Sequence, residues 1–155
     1  MLPVGVFRWC VLQMASIRSF LSSDIPAARA LWETTPGVGL SAADAPECLA
    51  AYLARNPRSS FVAAEGEEVV GTVLCGHDGR RGMIHHLMVV PEARRQGLAR
   101  RMLDAGLAAL REEGIHKCHL MIFRTNEEGL RFWQSVGAED RVTLALYSID
   151  TGAAG

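Results

Sequence analysis

The run Val89-Val90-Pro91-Glu92-Ala93-Arg94-Arg95-Gln96-Gly97-Leu98-Ala99-Arg100-Arg101 joins the end of an apolar strand to the start of an amphipathic helix through basic residues and one glycine. The N–H groups of a helix's first turn have no intrahelical partner and lie at the positive end of the helix dipole, so an anion placed there collects several hydrogen bonds at once. Gly97 lets a ligand come close to the backbone, and the arginines add charge. The segment reads as a cradle for a phosphate-bearing ligand. Arginines beside a helix start are often only a solvated face, and so short a motif needs its context. Here an apolar strand precedes it and a long helix follows it. The chain carries neither G-x-G-x-x-G nor G-K-S/T, which removes support from other nucleotide-binding loops.

Composition narrows the field further. At 155 residues, 49% of them hydrophobic and 21% charged, the chain has the size of one domain with a real core. The formal net charge of -1 supplies no basic field, so a phosphate must be held by local arrangement, and general nucleic-acid binding is disfavoured. Cys10, Cys48, Cys75 and Cys118 are scattered, with no C-x-x-C pair, which suits a reducing, cytoplasmic setting. No apolar run approaches the length of a membrane span. In residues 1–13 the charge of Arg8 lies inside the segment and no small-residue cleavage site follows, a poor fit to a signal peptide. These residues read as an extension, 14–150 as a single domain and 151–155 as a loose tail.

Periodicity then orders the elements. Ile17 to Phe20 reads as a strand, and Ser23-Asp24 starts a helix with apolar Ile25, Ala28, Leu31 and Trp32. Ser41 or Asp44 caps a second helix, with Pro46 in its first turn, Leu49, Tyr52 and Leu53 as its apolar stripe and Asn56-Pro57 as its stop. Ser60 to Glu65 and Val69 to Gly76 form a hairpin about Glu65-Gly66-Glu67, and Met83 to Val90 is the next strand. After the cradle come a helix over Arg100 to Glu113, a strand over His116 to Phe123, a short helix over Asn126 to Val136 and a last, half-buried strand over Arg141 to Ile149. The order predicts an α+β fold: a mixed, mostly antiparallel central sheet flanked by about four helices.

Read as Arg94-x-x-Gly97-x-Ala99, the cradle resembles the pyrophosphate motif of the GNAT superfamily of acetyl-CoA-dependent N-acetyltransferases. A second block, Asn126-Glu127-Glu128-Gly129-Leu130-Arg131-Phe132-Trp133-Gln134-Ser135-Val136-Gly137-Ala138, is similar to that family's N-x-x-A-x-x-F-Y-x-x-x-G-F element. It departs at Gly129, where alanine is usual, at Ala138, where an aromatic is usual, and at Trp133, where a tyrosine often serves as general acid. Gly71-Thr72-Val73 and the turn around Gly76 to Gly82 look like a bacterial branch described as YpeA-like. The resemblance covers nearly all of Met14 to Ile149. It implies acetyl-CoA as cosubstrate, held by Leu87, Met88 and Val89 on the strand, by Arg94, Arg95, Gln96, Gly97, Leu98, Ala99 and Arg100 at the cradle, and by Asn126 and Trp133 along the pantetheine arm. It also implies a strand that splays from its neighbour and frees a backbone amide near Leu87 for the thioester carbonyl.

Acetyl transfer to an amine needs a base for the amine's proton and donors for the carbonyl oxygen. Strand alternation puts Met83, His85, Leu87 and Val89 on one face and Ile84, His86, Met88 and Val90 on the other. His85 is the expected catalytic base, since the family's base often comes from this face and histidine titrates near neutrality. The competing reading is a histidine that only hydrogen-bonds within the sheet; His86 should face away. Indole cannot release a proton near neutral pH, so Trp133 cannot inherit the tyrosine's role, and Cys118, Ser135 and Tyr147 are the remaining donors. His116-Lys117-Cys118-His119 lacks a second ligand pair with zinc-like spacing, and no metal site is expected. Trp32, Pro36 to Leu40, Tyr52 and Arg55 are expected to line the acceptor cleft. The acceptor is a small-molecule amine or a peptide N-terminus. The rivals are a protein N-terminal acetyltransferase of the ribosomal-protein alanine type and a non-catalytic acyl-CoA-binding module. The last strand often mediates pairing in this superfamily, which makes a homodimer the corresponding expectation.

Overall fold

A computed structural model describes residues 14–152. The extension over 1–13 and residues 153–155 of the tail lie outside the described residues. The chain falls into two compact units that meet between Met121 and Ile122.

The first unit contains β1 (Ser16–Ser19), α1 (Ile25–Thr34), α2 (Pro46–Arg55), β2 (Phe61–Glu65), β3 (Glu68–His77), β4 (Gly82–Val89), α3 (Leu98–Glu112) and β5 (Cys118–Leu120). The strands pair in chain order, antiparallel from β1 to β4 and parallel between β4 and β5, where α3 supplies the crossover. Local chemistry explains the helix starts. Asp24 ends a 3-10 turn before α1; its carboxylate accepts the Leu21 N–H at 2.8 Å and both guanidinium nitrogens of Arg18 at 2.7 and 2.8 Å. Ser41 caps a second 3-10 turn before α2, and Pro46 occupies the first turn of that helix, where a missing N–H does no harm. α3 ends at Gly114, whose φ of +81° continues the chain out of the helix.

β3 shows how the sheet divides its two faces. A Cβ on Gly71 would meet the Met102 side chain of α3, and one on Gly106 of α3 would meet the Cys75 sulfur. Thr72 instead bonds Trp32 of α1, Leu74 joins the α1 and α2 cluster, and a Cβ on Gly76 would meet Tyr52 of α2. From Gly71 to Gly76, odd-numbered β3 residues thus face α3 and even-numbered ones face α1 and α2, the period of two that strand geometry requires; Val69, beyond the register shift with β2, joins the α1 and α2 cluster.

In the second unit α4 (Glu127–Ser135) is capped by Asn126, whose Oδ1 accepts the Gly129 N–H at 2.9 Å, and Gly137 at φ +86° terminates it. Two expectations are corrected. Only Cys118–Leu120 of the strand expected over His116 to Phe123 pairs. The segment from Arg141 to Ile149 forms no strand, and Val142, Leu146, Tyr147 and Ile149 are between 73% and 93% exposed. A strand is stable only in a ladder, and among the described residues of the second unit no other strand offers one.

Candidate functional site

The site is built around an irregularity in β4. Leu74 pairs with His85 and Thr72 with Met88, so one β3 residue, Val73, lies opposite both His86 and Leu87. This is a β-bulge, and His86 takes a left-handed φ of 49° within it. The extra residue shifts the phase of the strand. His85 approaches Tyr52 of α2 edge-on, with ring centroids 6.1 Å apart, and His86 lies against Trp32 of α1 at 4.3 Å. Both imidazoles therefore face the α1 and α2 side. The expectation that His86 faces away from His85 is overturned, because alternation holds only for an unbulged strand. The same shift brings Met88 and Val90 to the α1 and α2 cluster, while Val89 pairs with Gly71, on the face of α3.

β4 also runs on past the end of β5. The parallel ladder runs from Gly82 with Cys118 to Ile84 with Leu120, and His85 is the first β4 residue beyond it. The ladder thus ends one residue before the two histidines. His85 is half-buried and has no hydrogen bond or ion pair among the described residues. Burial holds its pKa below the ordinary histidine value, the nearby His86 charge acts the same way, and Asp44 opposes both.

His86 has the opposite character. Its Nε2 lies 2.6 Å from Asp44 Oδ1, its carbonyl accepts the Thr72 hydroxyl at 2.7 Å, and its ring rests on Trp32. The Trp32 Nε1–H in turn donates to Thr72 Oγ1 at 2.9 Å. Asp44 is fixed as well: its Oδ2 accepts the Ser41 N–H at 2.9 Å and its backbone carbonyl accepts Arg29 Nε at 2.9 Å. Trp32 is 1% exposed, so it is core and does not line a cleft as expected. Tyr52 Oη is buried with no hydrogen-bond partner among the described residues, and burial pushes its ionisation well above the ordinary tyrosine range.

The cradle sequence forms a loop and helix start of the expected kind. Arg95 and Gly97 adopt left-handed φ of 66° and 70°, and Gly97 is the N-cap of α3 with no side chain capping the helix. The first α3 turn closes with the Arg101 N–H on the Gly97 carbonyl, and among the described residues nothing caps the Leu98, Ala99 and Arg100 amides. A Cβ on Gly97 would meet nothing within 4 Å. Arg94, Arg95, Gln96 and Arg100 are exposed around it, with Arg94 Nε bonded back to the Val89 carbonyl at 3.0 Å. Leu87 is half-buried in the bulge beside them in sequence.

Asn126 and Trp133 lie in the second unit. Asn126 uses its carbonyl oxygen as the cap of α4, and Trp133 is half-buried with an edge-on contact to Phe132 at 5.3 Å. The glycine at 129 has a local reason: a Cβ there would lie 2.7 Å from Ile122 Cδ1 and 2.8 Å from Asn126 Nδ2. Of the remaining proton donors, Ser135 bonds the Phe132 carbonyl at 2.6 Å, Tyr147 is 89% exposed and burial raises the Cys118 thiol. The residue sequence reasoning passed over is Asp44, 42 positions from its partner His86. The sequence offers it only as a helix cap.

Comparison with known proteins agrees with this geometry. The pattern of the Acetyltransferase (GNAT) family matches residues 25–138. A protein named as an acetyltransferase in Pectobacterium atrosepticum is 31% identical over 137 residues, covering 86% of this chain and 96% of its own. A Clostridium acetobutylicum acetyltransferase solved with acetyl-CoA superposes with a TM-score of 0.69 at 18% identity, covering 87% of this chain and 96% of that one. The ribosomal-protein-S18-alanine N-acetyltransferase of Escherichia coli superposes with a TM-score of 0.64 at 20% identity, covering 80% and 77%. With this match across the cradle, the bulged strand and α4, the chain belongs to the acetyltransferase (GNAT) family and is an acetyl-CoA-dependent acetyltransferase.

Proposed function

We propose that the chain transfers the acetyl group to a primary amine by direct attack on the thioester, with His85 as the base. The observation that carries this reading is the position of His85, which stands on the α1 and α2 side just past the end of the β4–β5 ladder with no hydrogen bond or ion pair among the described residues. Its lowered pKa keeps the imidazole neutral near pH 7, the form that can accept a proton.

The residues present fit the cosubstrate. The uncapped α3 terminus, the open space over Gly97 and the exposed arginines suit a pyrophosphate, with Arg94, Arg95 and Gln96 to Arg100 holding it and Leu87, Met88 and Val89 alongside the arm. Asn126 orients the arm through its amide, and Trp133 packs beside it. Acetyl-CoA supplies an activated acyl group, whose carbonyl carbon bonds to the acceptor nitrogen as the carbon–sulfur bond breaks and the thiolate leaves. His85 takes the proton the nitrogen loses. Because Trp133 cannot act as an acid, the thiolate draws its proton from solvent or from the acceptor's ammonium form.

The acceptor is either a small-molecule amine or a peptide N-terminus. The Escherichia coli enzyme acts on a ribosomal-protein alanine, but at 20% identity its likeness concerns the fold and does not decide between the two. A thiol-release screen with acetyl-CoA against amines, amino acids, polyamines and peptides tests the reading. Release with at least one primary amine supports it. Acetyl-CoA binding with no release across the panel overturns it in favour of a binding module.

A further inference from the structure

Two adjacent histidines on one face of a bulge are held in very different ways, and the difference has a chemical use. We infer that Asp44 and His86 form a positioning pair for His85: the carboxylate ties the His86 imidazole against Trp32, and His85 alone is left to take a proton from the acceptor. This inference rests on the proposed amine acetylation and adds two residues to it.

The restraint on His86 acts at three points. Its Nε2 meets the Asp44 carboxylate at 2.6 Å, its ring lies on Trp32 and its carbonyl accepts the Thr72 hydroxyl. An ionised carboxylate can only accept, so His86 is the donor and Nε2 carries the hydrogen. Both side chains are largely sheltered, at 13% and 12% exposure, where a charge-assisted bond is screened less than on the open surface. Asp44 cannot easily swing away, since Ser41 holds its other oxygen and Arg29 its backbone carbonyl.

His85 has none of these ties. The titratable groups set beside it are His86 on its own strand, Asp44 on the connection between α1 and α2, and Tyr52 on α2. Tyr52 stays uncharged, because burial raises its ionisation. The imidazole centroids of His85 and His86 are 6.4 Å apart, so a proton on His86 disfavours a second one on His85, whereas the Asp44 carboxylate favours it. The two members of the pair therefore act on His85 with opposite sign. A purely structural role would not produce that signature. Where neighbouring groups are driven apart in this way, their acid and base roles separate.

The test is an NMR titration of the His85 imidazole in the full-length protein, assigned with His85→Ala, in wild type, His86→Asn and Asp44→Asn. Asparagine tolerates the left-handed backbone at position 86, and at 44 it keeps an oxygen for Ser41. His86→Asn should move the His85 titration to higher pH and Asp44→Asn should move it to lower pH. The acidic limb of the rate profile should follow each, with acetyl-CoA affinity unchanged. Shifts in the same direction, or no shift in either variant, would overturn the inference. If His86→Asn fails to fold, the Asp44→Asn titration decides alone. The titration needs no acceptor, so its outcome stands apart from the failure of amine acetylation itself, which would show as acetyl-CoA binding with no thiol release across the amine panel.

Discussion

Trp32 and Thr72, 40 positions apart, meet inside the first unit, where the indole N–H donates to the threonine oxygen at 2.9 Å and neither residue is more than 1% exposed. The same hydroxyl donates its own hydrogen to the His86 carbonyl at 2.7 Å. One buried oxygen thus fixes both the core tryptophan and the strained point of the bulge.

Thr72→Val keeps the shape and removes both bonds, leaving an indole N–H and a backbone carbonyl without partners. A buried polar group left in that state costs about 1 to 3 kcal/mol. Urea unfolding should register a loss in that range or somewhat more, and Thr72→Ser should recover most of it. Equal stability of the valine variant and the wild type would contradict the account of the bulge.

Tyr52 presents the opposite case. Its hydroxyl is buried and has no partner among the described residues, while its ring packs against the α1 and α2 core. Tyr52→Phe removes an unsatisfied polar atom and keeps the apolar area, so stability should stay level or rise by up to about 1 kcal/mol. A clear loss in thermal or urea unfolding would reveal a partner for the hydroxyl.

How far the sequence discloses this molecule depends on the kind of feature. The stripes of Ile25, Ala28 and Trp32 on α1 and of Met102, Leu103 and Leu110 on α3 are buried where periodicity places them, since a helix can hide only one side. The strand, loop and helix start from Val89 to Arg101 were legible for a related reason: an apolar run, a glycine and a basic helix start are contiguous in the chain. The bulge was not legible. Met83 to Val90 is apolar on both sides of its histidine pair, so the pattern marks no change of phase, and only the ladder with β3 reveals that His86 turns to the side of His85. Asp44 was hidden because its capping pattern, Ser41-x-x-Asp44, already accounts for the residue locally. The alternation over Arg141 to Ile149 resembles a half-buried strand, but alternation does not supply the neighbour that a strand requires.

Gly97→Asp tests the cradle. The left-handed φ of 70° makes any side chain strained there, roughly 1 to 2 kcal/mol, but the space is open and the fold should survive. The carboxylate would sit where the phosphates are proposed to bind. Calorimetry should show acetyl-CoA affinity weakened by a few kcal/mol, on the order of a lost set of charge-assisted hydrogen bonds. Unchanged affinity in a folded variant would remove the cradle from the argument.

The most direct test of the central claim is turnover of His85→Ala with a responsive amine, measured across pH together with acetyl-CoA affinity. A base must be unprotonated to act, so the wild-type rate should rise with pH, and its midpoint should lie below the ordinary histidine value because burial disfavours the imidazolium. Acceptors of different basicity separate this rise from titration of the amine itself. The account predicts that His85→Ala lowers turnover by roughly 100-fold or more, the range general-base catalysis supplies, abolishes the histidine midpoint and leaves acetyl-CoA affinity unchanged. Normal turnover in His85→Ala over the same pH range would contradict it.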